Sequence, residues 1–336
     1  MESSVQPRLA ADPKPTVVIH TNDQQMVAAL VSAHSLKSRS TSPHLFHVRL
    51  LRLEDYPELY KRHNQRFVWE EGDAPLVWNR RNHQTFGPLR RMVPSLLGFQ
   101  GRALVIDPDV FAIGDVYELL TRDMGGKVII CRQRSESREG RRRYSSAVML
   151  LDCSKLTHWQ WQSEMDKLFS GQLRLGAYLS LLDEPPDHIG LLEEEWNHFD
   201  TLTEKTKLLH NTEIATQPWK TGLLADYYYH AHRRAGLLAA LKHAGRIVLA
   251  PLRRHPVRYK PHPDLRQEQL FFALLRECLE VGSITTEFLQ AAIRKNYLRK
   301  DAFAVIAKCA PIRGGPNRTA LVGKTPHPRR RHGGLR

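Results

Sequence analysis

Arg102–Val110 reads RALVIDPDV. The apolar run Arg102–Ile106 stops abruptly at Asp107-Pro108-Asp109, as a buried strand does at its carboxyl end. In an extended segment, residues two apart point the same way. Asp107 and Asp109 can therefore face one point and coordinate a hard divalent cation. Pro108 removes a backbone donor between them and stiffens the turn. The same triplet is also ordinary punctuation for a strand end, so the surrounding chain has to decide its meaning.

Upstream, Thr16–His20 (TVVIH) is a β-branched strand ending at Thr21-Asn22-Asp23. Met26, Ala29, Leu30, Ala33 and Leu36 follow at helical spacing, which opens a βα unit. Leu45–Leu51 alternates around His47 and Arg49 as a second strand. Glu54–Asn64 has a helical pattern, and Phe86–Leu97 carries an apolar face interrupted by Pro94. Downstream, Lys127–Cys131, Val148–Leu151 and Lys207–His210 are further strands, and Leu156–Phe169 has helical periodicity. Strands alternating with helices over about the first 220 residues predict an α/β fold with a mainly parallel central sheet flanked by helices. Such sheets bind ligands at the carboxyl ends of their strands.

From Asp226 onward the pattern is mostly helical: Tyr227–His243, Arg266–Val281, Thr285–Asn296 and Lys300–Lys308. The apolar stripe of Gln269–Leu279 predicts core or a subunit interface. The organisation expected is a domain over 16–223, a helical extension over 224–312, and a disordered basic tail over 313–336. Tyr227-Tyr228-Tyr229, His230 and His232 suit a helix packing its aromatics on the sheet domain, with a metal or sugar platform as the weaker alternative.

Composition excludes other classes. The chain of 336 residues is 41% hydrophobic and 25% charged, which excludes wholesale disorder and collagen-like repeats. No apolar window is long enough for a spanning helix, and the polar segment before Pro15 lacks the core of a secretory signal. Cys131, Cys153, Cys278 and Cys309 have no metal-knuckle or redox spacing, which predicts buried, reduced thiols in a cytoplasmic protein. The net charge is +15, concentrated in two places. One is Arg132, Arg134, Arg138, Arg141, Arg142 and Arg143; the other is the acid-free tail with Arg313, Arg318, Lys324, Arg329, Arg330, Arg331 and Arg336. Such runs favour polyanions. Basic residues do not interleave with aromatics as in a nucleic-acid module, so no specific nucleic acid is expected.

The order of these features resembles glycosyltransferases of the GT-A fold, and family 8 in particular, which includes glycogenin and bacterial lipopolysaccharide galactosyl- and glucosyltransferases. The resembling pieces are VVIHTND at Val17–Asp23, the Leu89–Leu119 segment, SSAVMLLDC at Ser145–Cys153, and EWNHFD with TKLLHNTEIATQPWKTG between Glu195 and Gly222. The resemblance spans residues 16–223. It implies a metal-dependent hexosyltransferase using a nucleoside-diphosphate sugar, UDP-sugar favoured, with retention at the anomeric carbon. It also implies Mn²⁺ or Mg²⁺ on Asp107, Asp109 and His210, with Arg90 near the diphosphate. Thr21, Asn22 and Asp23 would meet the base and ribose, and Lys220 would approach a phosphate. The acceptor would be a carbohydrate or lipid-linked sugar, reached through peripheral contact of basic segments with an anionic membrane. The chain departs from the family's late histidine motif: the His-to-Trp spacing is one longer, the middle glycine is absent, and Gln217 precedes Pro218. These departures leave a catalytically degenerate binding or scaffold protein as the alternative, ahead of a basic nucleic-acid-binding protein, which the net charge alone would favour.

Overall fold

A computed structural model describes residues 14–80, 82, 85–136, 140–227 and 257–309. The expected Tyr227–His243 helix beyond its first residue, His230, His232, Arg138 and the basic tail lie outside the described residues. The strands are β1 (Thr16–Thr21), β2 (His47–Arg52), β3 (Arg66–Phe67), β4 (Leu76–Val77), β5 (Arg102–Ile106), β6 (Val110–Ala112), β7 (Ile129–Glu136), β8 (Arg142–Asp152), β9 (Ile189–Leu191), β10 (His198–Phe199) and β11 (Leu208–His210).

The molecule is a mixed α/β structure around a mainly parallel sheet ordered β2-β1-β5-β8-β7-β9, flanked by helices. β1 runs parallel to β2 and β5, β7 runs parallel to β9, and β8 runs against both of its neighbours. Period-two alternation divides the strand side chains between two cores. Val18, Ala103, Val105, Met149 and Leu151 face one side, against Trp159, Trp161, Met165 and Tyr178. Val17, Ile19, Leu104, Ile106, Val148 and Leu150 face the other, against Ala29 and Leu36 of the helix Met26–Ser38. Burial on both faces explains why these strands are continuously apolar.

A smaller sheet, β10-β11-β6, is entered by the chain from the carboxyl end of β5. β6 follows β5 after only three residues and pairs antiparallel with β11, His210 opposite Val110. A third core joins Val27, Ala28, Val31, Phe111, Leu209 and Trp219 to the helices Leu265–Glu280, Thr286–Arg294 and Ala302–Lys308. The apolar stripe of Gln269–Leu279 is therefore core. All four cysteines are buried and free.

Several elements differ from the sequence expectations. Glu54–Asn64 is not one helix: 3₁₀ turns at Leu53–Asp55 give way to a single helical turn, Pro57–Tyr60, because Pro57 lacks the N–H that a continuous helix would use. Phe86–Leu97 splits into a 3₁₀ segment, Gly87–Met92, and a short helix, Val93–Leu96, at Pro94. The helix expected from Leu156 begins only at Trp161. The strand expected at Val148–Leu151 runs from Arg142 to Asp152 and hairpins with β7, and Arg132, Arg134, Arg142 and Arg143 lie in these two strands. The tip of that hairpin, Arg134–Glu136 with Arg142, is polar because it is exposed. Among the described residues, no helix is long and apolar enough to cross a membrane.

Candidate active site

Parallel register brings the first two site residues together. Ile19 pairs with Ile106, so the next residues along, His20 and Asp107, leave their strands side by side. His20 Nε2 lies 2.7 Å from Asp107 Oδ1. Arg90, from the 3₁₀ segment Gly87–Met92, closes over the pair. Its Nη2 donates to both Asp107 oxygens at 2.6 Å, its Nη1 donates to Ser146 Oγ at 2.7 Å, and its Nε donates to His20 Nε2 at 2.9 Å. Ser146 in turn donates to the Leu179 carbonyl. The guanidinium is thus gripped on every edge.

Burial raises the Asp107 carboxyl, but the Arg90 charge and then His20 outweigh it and hold the group well below the usual carboxylate range. His20 is fully buried, and burial pulls its imidazole down against the opposing pull of Asp107. His20 Nε2 has two polar neighbours competing for it: protonated it donates to Asp107, and unprotonated it accepts from Arg90. Its Nδ1 is buried without a hydrogen-bond partner.

Asp109 stands beside this network, one side chain along on the same face. Gln217 Nε2 donates to its Oδ2 at 3.0 Å, while its Oδ1 is buried without a hydrogen-bond partner. His210 Nε2, at the end of β11, faces that oxygen at 3.4 Å. The other nitrogen of His210, Nδ1, is 2.8 Å from Asn197 Oδ1. An amide carbonyl can only accept, so Nδ1 carries the hydrogen, and in the neutral imidazole the Nε2 lone pair points at Asp109. Such a lone pair opposite a carboxylate oxygen that has no hydrogen-bond partner is an arrangement that a cation completes. The ligand atoms of Asp107, Asp109 and His210 lie within 4.8 Å of one another. Asp107 has lone pairs to spare, since an ionised carboxylate offers about four acceptor sites and Arg90 and His20 occupy three. The donor set of two carboxylates and one imidazole suits a Mn²⁺-like ion, and Asn197 holds the imidazole as outer hydrogen bonds hold metal-binding histidines.

The remaining predicted residues are placed as follows. Thr21, the last residue of β1, and Asn22, just beyond it, are buried. Asn22 Oδ1 caps the next turn by accepting from the Gln25 N–H, and its Nδ2 reaches Thr85 Oγ1. Asp23 is half-exposed and takes Arg52 Nη2 at 2.9 Å. Lys220 is fully buried, and its Nζ donates to Asp226 at 2.9 Å between the Tyr259 and Tyr297 rings. Its described contacts do not join it to the acids. Burial lowers the Lys220 ammonium, with Asp226 opposing. Arg91 turns away from Arg90 and is buried on Asp183, with its Nη1 at 2.6 Å, while it lies over the Tyr178 ring. Of these two neighbouring arginines, Arg90 reaches Asp107 and Arg91 reaches Asp183.

His20, Asn197 and Gln217 are working parts that residue typing did not single out. His20 is the one polar side chain inside an apolar strand facing β5, and parallel pairing was the signal for it. Gln217 is held by a relay: Trp219 Nε1 donates to Gln25 Oε1, and Gln25 Nε2 donates to Gln217 Oε1, each at 3.1 Å. Trp219 packs on Phe271 at 4.8 Å and on Phe111 at 5.8 Å between ring centroids, so the third core fixes the turn that serves Asp109. Arg132 and Arg134 lie over Phe199, whose ring meets His210 edge-on at 5.6 Å. The arginine hairpin therefore borders the acid cluster.

No family model matches the chain, and no curated protein matches it. Solved structures do. The chain is similar to the glycosyltransferase GlyE of Streptococcus pneumoniae TIGR4, with 16% identity and a TM-score of 0.44 over 63% of this chain and 58% of that one. It is similar to the bifunctional glycosyltransferase WbbM, with 14% identity and a TM-score of 0.42 over 65% of this chain and 48% of that one. It is also similar to the galactosyltransferase LgtC, with 14% identity and a TM-score of 0.42 over 61% of this chain and 89% of that one. The chain thus spans about half the length of the first two.

Proposed function

We propose that the chain is a GT-A-type glycosyltransferase that moves a hexosyl group from a nucleoside-diphosphate sugar, a UDP-sugar in the first instance, to a carbohydrate or lipid-linked acceptor with retention. The observation that carries this reading is the unsatisfied Asp109 Oδ1 facing the His210 Nε2 lone pair, beside an Asp107 that stays ionised. Asp107, Asp109 and His210 would hold a divalent cation, Mn²⁺ or Mg²⁺, which as a Lewis acid would neutralise charge on a donor diphosphate.

The chain's own residues would do the rest. Arg90 keeps Asp107 ionised and leaves fixed positive charge beside the place where the departing diphosphate develops negative charge. Arg132 and Arg134 extend that field along the hairpin. Thr21, Asn22 and Asp23 line the end of β1, where base and ribose would sit. The bond from the anomeric carbon to the diphosphate oxygen breaks, the bond to the acceptor hydroxyl oxygen forms, and the acceptor proton passes to the departing phosphate. A same-face attack of this kind needs no side-chain base. The basic hairpin and tail would hold the enzyme at an anionic membrane surface, at about 1 kcal/mol per basic residue near it.

A second reading has its own observation. Arg90 and His20 already occupy Asp107, and Lys220 is paired with Asp226. A chain using those pairs as fixed structure would bind a sugar nucleotide without turning it over. Release of nucleoside diphosphate from UDP-, GDP- and ADP-linked sugars, with and without Mn²⁺, separates the two. Metal-dependent release that is lost in Asp109→Asn supports the transferase. Saturable donor binding without release supports the scaffold.

A further inference from the structure

A second triad lies outside this site. His158, Glu184 and His188 bring their ligand atoms within 4.8 Å of one another. We propose that they form a zinc-binding site, independent of the acid cluster at Asp107.

The backbone builds it from two rigid turns. His158 sits in the turn after β8, where the Trp159 N–H bonds the Leu156 carbonyl at 3.0 Å. Glu184 and His188 flank the pair Pro185-Pro186, whose fixed φ angles limit the turn. That turn is pinned at its far end, because the His188 carbonyl accepts from the Val128 N–H at 2.8 Å where β9 begins. The two carriers are thus set before any ion arrives.

Glu184 is the anchor. Its side chain is 2% exposed, and a carboxylate so buried needs compensation. Trp159 Nε1, itself buried, donates to Oε1, which orients the carboxylate as an outer partner orients a metal ligand. His158 Nε2 lies 3.1 and 3.2 Å from the two oxygens, and His188 Nδ1 lies 3.6 Å from Oε2. His188 Nδ1 is buried and has no hydrogen-bond partner, so it presents a nitrogen to a carboxylate beyond hydrogen-bond reach.

Those spacings match an ion. Zinc bonds of about 2.0–2.2 Å in tetrahedral geometry set neighbouring ligand atoms roughly 3.4 Å apart, within the 3.1–3.6 Å found between the imidazole nitrogens and the carboxylate. The donor set is two imidazoles and one carboxylate, which favours Zn²⁺ over Mg²⁺ or Ca²⁺. The imidazole side chains are 47% and 33% exposed, which leaves a face for a solvent ligand. An ion there would clip the turn after β8 to the turn before β9. It would also firm the segment in which Asp183, the neighbour of Glu184, holds Arg91.

The test is a zinc titration of the full chain against a chromophoric chelator, in an Asp109→Asn background so that the acid cluster contributes little. One tight equivalent is expected, weakened at least tenfold by His158→Ala together with His188→Ala, and likewise by Glu184→Gln, which keeps the side chain's shape. Co²⁺ should give a visible absorption band that the same substitutions remove. Zinc should raise the melting temperature of Asp109→Asn and leave that of the histidine double variant unmoved. Zinc uptake unchanged by these substitutions, or no tight equivalent in Asp109→Asn, would overturn the proposal. The site at Asp107 is untouched by either result, since it is read by donor turnover.

Discussion

The molecule carries two clusters of carboxylate and imidazole, and they are built differently. At Asp107, Asp109 and His210, an arginine occupies the site alongside the acids, and the open atom is a carboxylate oxygen. At His158, Glu184 and His188, no cation of the chain touches the carboxylate in the described contacts, and the open atom is an imidazole nitrogen. The first rests on parallel strand register and a second sheet entered from the carboxyl end of β5. The second rests on two turns. Hard, oxygen-rich ligation with fixed positive charge beside it suits holding a diphosphate, and softer nitrogen ligation away from that charge suits a bound structural ion. The comparison teaches that three ligating side chains within reach do not define chemistry until the charge around them is counted.

The sharpest way to break the comparison is to remove the open oxygen. Asp109→Asn should lower donor turnover by about 10²–10³-fold or more, by analogy with lost transition-state contacts, while His188→Ala should leave turnover near that of the unaltered chain. Equal losses in steady-state assays would erase the distinction. Next in size is the arginine. Arg90→Met strands a buried Asp107 charge, and leaving half of a buried pair costs about 3–5 kcal/mol, read as a loss of unfolding free energy in urea.

The pH dependence sharpens the same point. The Asp107 carboxyl is depressed in the folded chain by Arg90 and His20, so its contribution to stability is fully present above the unfolded value of about 3.9. That contribution is lost as pH falls through the lower folded value. Urea melts across the acid range should show this limb in the unaltered chain and a flattened one in Arg90→Met. A smaller effect is expected for Asn197→Ala. Without the amide that fixes the His210 tautomer, Mn²⁺ affinity should drop about 10–100-fold, measured by equilibrium titration.

Much of this was legible in the chain itself. The paired acids and their place after a short apolar strand follow from residue type and order, Arg90 and the distant His210 follow from the family resemblance, and the four side chains lie together in the fold. What escaped reading depends on contacts between elements. His20 matters because β1 lies parallel to β5 in one register, and no local pattern in TVVIH states that register. Gln217 stands where the resembling family has another residue, yet it reaches Asp109 because Trp219 and Phe271 pack behind it. The arginines of the hairpin carried no strand signal because the tip of the hairpin is exposed, where apolar alternation ends. Glu184 and His188 carried no signal because their partner His158 is far away in sequence and the prolines between them look like a plain turn.

The central claim is that Asp107, Asp109 and His210 share one divalent cation. Mn²⁺ titration followed by electron paramagnetic resonance of the free ion tests it most directly, with His158→Ala as the parent chain to silence the second cluster. One bound equivalent is expected in that parent, with at least a tenfold loss of affinity when Asp109→Asn is added. Mn²⁺ binding that is absent from the parent, or undiminished by Asp109→Asn, would contradict it.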